Sequence, residues 1–272
     1  MPTIAFTLIG HNEASNLPRT LDSVRWADQI VYVDCESTDG SVDIARRYTP
    51  HILSRPNIAN LNINKNVAID GATADWVFLL DADEVIPAAL ADEMRRVLAA
   101  SPLENAFRLA RRNHFFGRWV RHGGQYPDYQ IRLFRRGKAR FACRHVHERL
   151  EVDGTVGTLH EPFDHYTVDT ALTAIRKMNF NSSFNAAELA RSGRKPGVGF
   201  ALSYLLTKPA SRFIRRYLFK GGFLDGWPGL VVAAVDAIDF PFRLFKFWYW
   251  AEHPEEWPDT RSASGTLPKG YG

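Results

Sequence analysis

A chain of 272 residues, 45% hydrophobic and 24% charged, can bury a sizeable core as one large domain or one domain with an extension, which excludes a wholly disordered or fibrous protein. Two cysteines, Cys35 and Cys143, make no disulfide framework, and the opening Met1-Pro-Thr-Ile-Ala-Phe6 lacks the basic start and cleavage site of a signal peptide, so a cytoplasmic location is expected. The net charge of +4 is unevenly spread: from Arg108 to Arg149 twelve basic residues face only Asp128 and Glu148, a region that suits phosphorylated sugars, anionic lipid or nucleic acid.

Ile4 to Ile9 is a β-branched and aromatic run ended by Gly10, a first strand with His11, Asn12 and Glu13 at its carboxyl end. Leu17, Leu21 and Val24 at helical spacing predict a helix from about Ser15 to Arg25. A second buried run from Gln29 ends in Asp34, followed by the turn Cys35 to Gly40 and a helix from Ser41 to Tyr48. His51 to Ser54 reads as a third strand, Asn60 to Ala72 as a helix and Trp76 to Leu80 as a fourth strand. This βαβαβαβ alternation predicts a parallel, doubly wound sheet with right-handed crossovers. Ligands of such sheets bind beyond the carboxyl ends of the strands, so Asn12, Glu13, Asp34, Asp81 and Asp83 should gather on one edge. No Gly-x-Gly-x-x-Gly follows the first strand and no Gly-x-x-x-x-Gly-Lys-Ser/Thr occurs, so any phosphate must be held by metal and side chains.

The acids after the fourth strand have two readings. Asp81 and Asp83, one residue apart, can hold a hard divalent ion. Alternatively, either caps the helix that Pro87 opens, with Leu90, Met94 and Val97 facing the core. The residues alone leave both open.

Beyond Ala99 the pattern becomes alternating. Phe107 to Arg112, Gln130 to Arg135 and Phe141 to Val152 read as strands, so the second half of the sheet should be mixed. In the last of these His145 and His147 share a face and are candidate metal ligands, against a bland role as hydrogen-bonding residues. Thr170 to Arg191 is helical, with Leu172, Ile175, Met178, Phe184 and Leu189 apolar, until Gly193 to Gly197 breaks it. Phe200 to Trp250 is rich in aromatic and aliphatic groups but repeatedly interrupted by charge, so it suits the interface of an anionic membrane, a helical layer or a dimer contact rather than a bilayer crossing. The expected organisation is a catalytic domain over 1–168, a helical amphipathic region over 169–257 for acceptor or membrane, and a loose tail over 258–272.

Three signatures stand in order: Asn12-Glu13 after the first strand, Val33-Asp-Cys-Glu-Ser-Thr-Asp-Gly40 after the second, and Asp75-Trp-Val-Phe-Leu-Leu-Asp-Ala-Asp-Glu84. Together they resemble the family 2 inverting glycosyltransferases of GT-A fold. Tyr126-Pro-Asp-Tyr-Gln-Ile-Arg-Leu-Phe-Arg135 and His145-Val-His-Glu148 are similar to the bacterial lipopolysaccharide core glucosyltransferases within that family. The resemblance implies a GT-A-like, Rossmann-type α/β sheet, a parallel half plus a mixed half, with a C-terminal helical extension. It implies that Asp34 meets the nucleobase of a nucleoside-diphosphate sugar such as a UDP-hexose and that Asn12 and Glu13 line that pocket; Lys65, with Arg55, is a candidate diphosphate contact, against a solvated helix face for Lys65. Asp81 then binds ribose or metal, Asp83 binds Mg²⁺ or Mn²⁺, and Asp128 matches the catalytic base, a residue that by itself reads equally as an ion-pair partner of the neighbouring arginines. The arginines suggest a phosphorylated, lipid-linked acceptor such as the lipopolysaccharide inner core, met at the inner face of the cell membrane.

The nearest rival is a polyprenyl-phosphate sugar synthase. Sugar-phosphate nucleotidyltransfer wants a Gly-rich loop that Gly10 alone does not supply. A nucleic-acid-binding module would use the arginines with Phe115, Phe116, Trp119, Tyr126 and Tyr129, but it leaves the strand-end acids unexplained, and nucleic acid is not expected as a partner.

Overall fold

The computed structural model describes residues 1–58, 60–144, 148–194 and 197–254. His145, His147 and the tail expected over 258–272 lie outside the described residues. The chain divides into two compact units. Among the described residues, one combines Met1–Arg112 with Asp128–His165, and the other combines Asn113–Pro127 with residues 166–254.

In the first unit β1 (Ile4–Gly10) lies parallel between β2 (Gln29–Asp34) and β4 (Trp76–Leu79), with β3 (Ile52–Ser54) parallel to β2 at the edge. All residues of β1, β2 and β4 are buried, as strands covered on both faces require. Side chains alternate between the faces. Ile4, Phe6 and Leu8 of β1 pack with Leu17 and Leu21 of α1 (Leu17–Ser23) and with Leu90 and Met94 of α4 (Ala88–Ala99). On the opposite face Ala5, Val77 and Leu79 pack with Ile69 of α3 (Leu61–Asp70). Phe6 and Phe78 sit 5.0 Å apart at their ring centroids. Burying each such ring contributes about 1.5–3 kcal/mol, so this layer anchors the strand ends that carry the acids. Between β2 and α3 come α2 (Ser41–Ala45) and β3, which completes the expected parallel half.

The mixed half follows. β8 (Asp128–Arg135) runs antiparallel to β4, and β6 (Ala106–Phe115) runs antiparallel to β8, with Arg111 directly opposite Asp128. The short β5 (Glu84–Val85) pairs antiparallel with β12 (Phe163–Val168), which sets His165 opposite Glu84. The parallel half, mixed half and C-terminal helices are the expected GT-A-like architecture.

One expected strand is not found among the described residues. Instead of a continuous run from Phe141 to Val152, only β9 (Ala139–Arg140) and β10 (Glu151–Val152) pair, two residues each. The reason is local: the backbone of Phe141 is taken at both its N–H and its carbonyl by the Asn66 side chain, at 3.0 and 2.9 Å. Asn60 Nδ2 donates to the carbonyl of Cys143 at 3.1 Å. With these backbone groups met by Asn60 and Asn66, and Cys143 at φ 60°, Phe141 to Cys143 leaves the extended pairing of β9.

In the second unit, β7 (Arg118–Trp119) turns back on the end of β6, pairing His114 with Trp119. α5 (Ala171–Arg191) packs on α8 (Gly226–Glu252), where the small Ala186 and Ala187 make room for Phe247 and Trp250. Lys246 of α8 spans the pair, its Nζ 2.6–2.8 Å from the Asn179 carbonyl and side chain and from Ser182 and Ser183. Leu172 and Ile175, apolar residues of its first half, are exposed, because α5 buries mainly its second half. Between α5 and α8 runs a helix built of α6 (Val198–Leu202), a π-helical turn (Ser203–Thr207), α7 (Lys208–Ile214) and a second π-helical turn (Arg215–Phe219), followed by a short 3₁₀ turn (Gly222–Asp225). Among the described residues no helix is long and apolar enough to cross a membrane.

Candidate active site

Because β1 has a parallel neighbour on each side, the strand order reverses direction at β1, and the crevice beyond its carboxyl end is where a ligand fits. Gly10 closes β1 because Tyr32 lies over it: a Cβ there would stand 2.6 Å from the Tyr32 hydroxyl oxygen. His11 Nδ1 then lies 2.6 Å from the Cys35 carbonyl, which makes that nitrogen the donor. Asn12 takes φ 55°, a conformation asparagine tolerates, and its Oδ1 accepts from Thr38 N at 2.8 Å. Glu13 N donates to Ser41 Oγ at 2.8 Å. The loop after β1 is therefore braced on the loop after β2, and the two form one wall.

Asp34 ends β2 on this wall, 6% exposed. Its Oδ2 accepts from Ser37 N at 3.2 Å, while its Oδ1 is buried with no hydrogen-bond partner among the described residues. An unmet buried carboxylate oxygen is costly, and a ligand N–H is one way to satisfy it.

The acids after β4 do not cap the following helix: Pro87 stands at its N-cap and no side chain bonds its first turn. Asp81 instead lies between two cations, with Oδ1 2.7 Å from Lys65 Nζ and Oδ2 2.7 Å from Arg132 Nη2. Burial pushes the Asp81 carboxyl up, but the Arg132 and Lys65 charges outweigh it and hold it well below the usual carboxylate range. Its side chain keeps 29% of its surface, so a ligand can reach it. Glu84 keeps none. Its Oε1 lies 2.6 Å from Arg132 Nη2, its Oε2 accepts from Asp81 N at 2.8 Å, and burial together with the nearby Asp81 charge pushes its carboxyl up despite Arg132.

Asp83 points elsewhere, to His165 Nε2 at 3.3 Å. No group of three or more His, Cys, Asp and Glu is placed to hold a metal ion among the described residues. The donor chemistry nevertheless fits a divalent ion that takes one carboxylate and one imidazole from the protein and fills its other positions from water and phosphate oxygens. Asp83 and His165 supply that pair. Asp81 suits the role less well, since both its oxygens already meet cations.

Asp128, at the start of β8, receives Arg111 Nε and Nη2 on Oδ2 at 2.9 and 2.7 Å and Gln130 Nε2 on Oδ1 at 2.8 Å. Arg111 also approaches Glu84 Oε1 at 3.7 Å, so opposite charges alternate from Lys65 through Asp81, Arg132, Glu84 and Arg111 to Asp128. Sequence reasoning named the two ends of this chain of charges and Asp81. It missed Arg132, Glu84 and Arg111 as site residues. It also missed His165, for which the sequence carries no motif.

The glycosyl transferase family 2 profile matches residues 8–166 of this chain. The lipopolysaccharide core biosynthesis glycosyltransferase LpsC of Rhizobium meliloti (strain 1021) is 28% identical over 244 residues, covering 88% of each chain. An uncharacterized glycosyltransferase of Rickettsia typhi is 26% identical over 257 residues, covering 90% of this chain and 85% of its own. Among solved structures, the mannosyltransferase PcManGT from Pyrobaculum calidifontis in complex with GDP-Man and Mn²⁺ aligns with 91% of this chain and 87% of its own at 16% identity and a TM-score of 0.49.

Proposed function

Since the chain belongs to glycosyl transferase family 2, we propose that it is an inverting, divalent-metal-dependent hexosyltransferase that moves glucose from a UDP-sugar to a phosphorylated, lipid-linked acceptor of the lipopolysaccharide inner core, at the inner face of the cell membrane. The observation that carries the reading is the meeting of Asp83 with His165 at 3.3 Å beside the ionised Asp81 and its two cations, at the carboxyl end of β4. The core acceptor is supported by the relative named for lipopolysaccharide core biosynthesis.

In this reading Asp34 Oδ1 accepts an N–H of the nucleobase, and Asn12 and Glu13 shape the wall beside it. Asp81 accepts from a ribose hydroxyl, and Lys65, drawn to Asp81, lies where it adds positive charge near the diphosphate. Asp83 and His165 would hold Mg²⁺ or Mn²⁺, which when bound supplies Lewis-acid neutralisation of the departing charge. Asp128 removes the acceptor hydroxyl proton as that oxygen attacks the anomeric carbon. The new C–O bond forms as the bond to the diphosphate oxygen breaks, the electron pair leaves on the diphosphate, and one in-line displacement inverts the anomeric centre.

The test is turnover of UDP-glucose with Mn²⁺ on two acceptors, an inner-core lipopolysaccharide lacking its outer sugars and a polyprenyl phosphate. Transfer to the first supports the proposal. Transfer only to the second replaces it with the polyprenyl-phosphate synthase, and transfer to neither with any nucleotide sugar removes it.

A further inference from the structure

Residues 198–219 form one continuous helix whose exposed apolar side chains recur at every fourth position: Val198, Leu202, Leu206, Ala210, Ile214 and Leu218. In a regular α-helix a step of four residues advances about 40° beyond a full turn, so such a row would wind away from one face. Two π-helical turns, Ser203–Thr207 and Arg215–Phe219, interrupt the regular winding. Each closes over more residues than an α-turn, which unwinds the drift and keeps the row nearly straight for roughly 30 Å. The first π turn sits just before Pro209, which has no N–H to give and crowds the carbonyl four residues earlier.

The row runs into a blunt tip. Phe219 is 83% exposed and Leu224 62% exposed, and Trp227, half exposed, meets the Phe116 ring at a tilt with centroids 4.9 Å apart. The hairpin of Phe116 is tied to this tip, since Gly123 N donates to the Lys220 carbonyl at 2.9 Å. Around the tip Arg118, Arg121, Arg215 and Lys220 are exposed. From Gly197 to Leu224 the sequence holds no acid, and Asn113 to Pro127 holds none either. The first acid after them, Asp225, has a side chain only 6% exposed and is held by His122 Nδ1 at 2.9 Å.

We infer that this face docks on a lipid bilayer bearing anionic headgroups, with the straight row lying in the interface plane and Phe219, Leu224 and Trp227 entering the acyl boundary. Apolar groups bordered by cations and lacking exposed acids complement that surface. They do not complement a second copy of this chain, which would bring its cations against a face whose neighbouring acids, Asp225 and Asp236, already pair with His122 and with Arg212 and Arg216. The inference rests on the proposed lipid-linked acceptor for its purpose. It names the part of the chain that holds the enzyme at that acceptor.

The experiment is flotation of the full chain with phosphatidylglycerol-containing vesicles and with pure phosphatidylcholine vesicles, at low and high salt. It compares wild type with Leu206→Ser and Phe219→Ser, both at exposed positions, and checks their helicity by circular dichroism. Wild type should float with the anionic vesicles at low salt only, and each substitution should weaken partition at least about tenfold with helicity kept. A wild type that stays unbound at low salt, or substituted chains that float as wild type does, overturns the inference. So does a wild-type dimer that becomes a monomer on substitution, which assigns the face to a second copy. Turnover of a delipidated, water-soluble core acceptor is measured in parallel and should be unchanged by the substitutions. If flotation holds while no acceptor is turned over, the transferase reading fails and the docking face stands.

Discussion

Arg111 stands directly opposite Asp128 on the neighbouring antiparallel strand, and its Nε and Nη2 both meet a single carboxylate oxygen, Oδ2, at 2.9 and 2.7 Å. The two oxygens of Asp128 are thereby made unequal. Oδ2 is held by a guanidinium, a charge-assisted contact that is expensive to displace. Oδ1 is met by the neutral amide of Gln130 at 2.8 Å, which a substrate hydroxyl can replace at lower cost. If Asp128 is the base, Oδ1 is the atom that takes the proton, and Arg111 fixes its direction.

Asp128→Asn keeps the size of the side chain but cannot accept the proton. A general base contributes roughly 10²–10⁴-fold to rate, so kcat should fall by that range while UDP-glucose affinity stays near normal. If Asp128 serves only to pair with Arg111, the loss should fall on stability or acceptor affinity. Steady-state kinetics with donor titration decide it, and a variant that retains more than about a tenth of wild-type kcat removes Asp128 from the role.

The parallel half was legible because its strands are buried on both faces, so that β1, β2 and β4 read as unbroken apolar runs and their ends as punctuation in acid. The pairing of Arg111 with Asp128 was not, because both sit among many arginines in sequence and only the register of β6 on β8 selects one of them. His165 was hidden for the same reason: it reaches Asp83 through the pairing of β12 with β5, more than eighty positions along the chain, and long-range register leaves no local signal. The failed strand from Phe141 shows the reverse error. Its alternation was real, but Asn60 and Asn66, two polar residues on what read as a plain amphipathic helix, claim its backbone. In the Phe200 to Trp250 region, composition alone did not separate the packed helix α8 from the exposed row on residues 198–219, since both are rich in the same large groups.

Lys246 gives the second unit a pH signature. Burial pushes its ammonium down to about 8, against the pull of the nearby Asp239. In the unfolded chain the group titrates near 10.4, so between those values the unfolded state binds more protons and stability rises with pH. Thermal unfolding of wild type and Lys246→Gln from pH 7 to pH 10 should show the difference moving in favour of wild type above about pH 8. A difference that stays flat, or moves the other way, shows that the four oxygens around Nζ hold the charge throughout.

Arg132 bridges two carboxylates that cannot both be left alone. Its side chain is 7% exposed and its Nη2 meets Asp81 at 2.7 Å and Glu84 at 2.6 Å. Removing one partner of a buried ion pair costs about 3–5 kcal/mol, because the remaining charge stays desolvated. Arg132→Ala should therefore lower the melting temperature by roughly 10 °C, at about 2–4 °C per kcal/mol for a chain of this size. Arg132→Ala combined with Glu84→Gln should recover part of that loss, since the buried charge is then gone. Calorimetry on the single and double variants reads both effects. A double variant no more stable than the single one shows that the cost is lost packing rather than an orphaned carboxylate.

The pairing of Asp83 with His165 leads to the last prediction. Two protein donors leave a divalent ion dependent on the diphosphate for the rest of its shell, so the ion should bind weakly to the free enzyme and tightly with the nucleotide sugar present. Activity should vanish in excess chelator and return with Mg²⁺ or Mn²⁺, and Asp83→Ala should abolish turnover with the fold kept. His165→Ala is the sharper variant, because an imidazole that only pairs with Asp83 can be lost without changing the metal requirement. If it is a ligand, the Mn²⁺ concentration for half-maximal activity should rise at least about tenfold, since outer-shell partners of metal ligands already cost 10–100-fold. Isothermal titration of Mn²⁺ with UDP present gives a readout independent of turnover and should show the same shift. An unchanged Mn²⁺ requirement in His165→Ala, with that requirement altered in His147→Ala, would move the imidazole ligand to His147 and leave His165 as an ion-pair partner of Asp83.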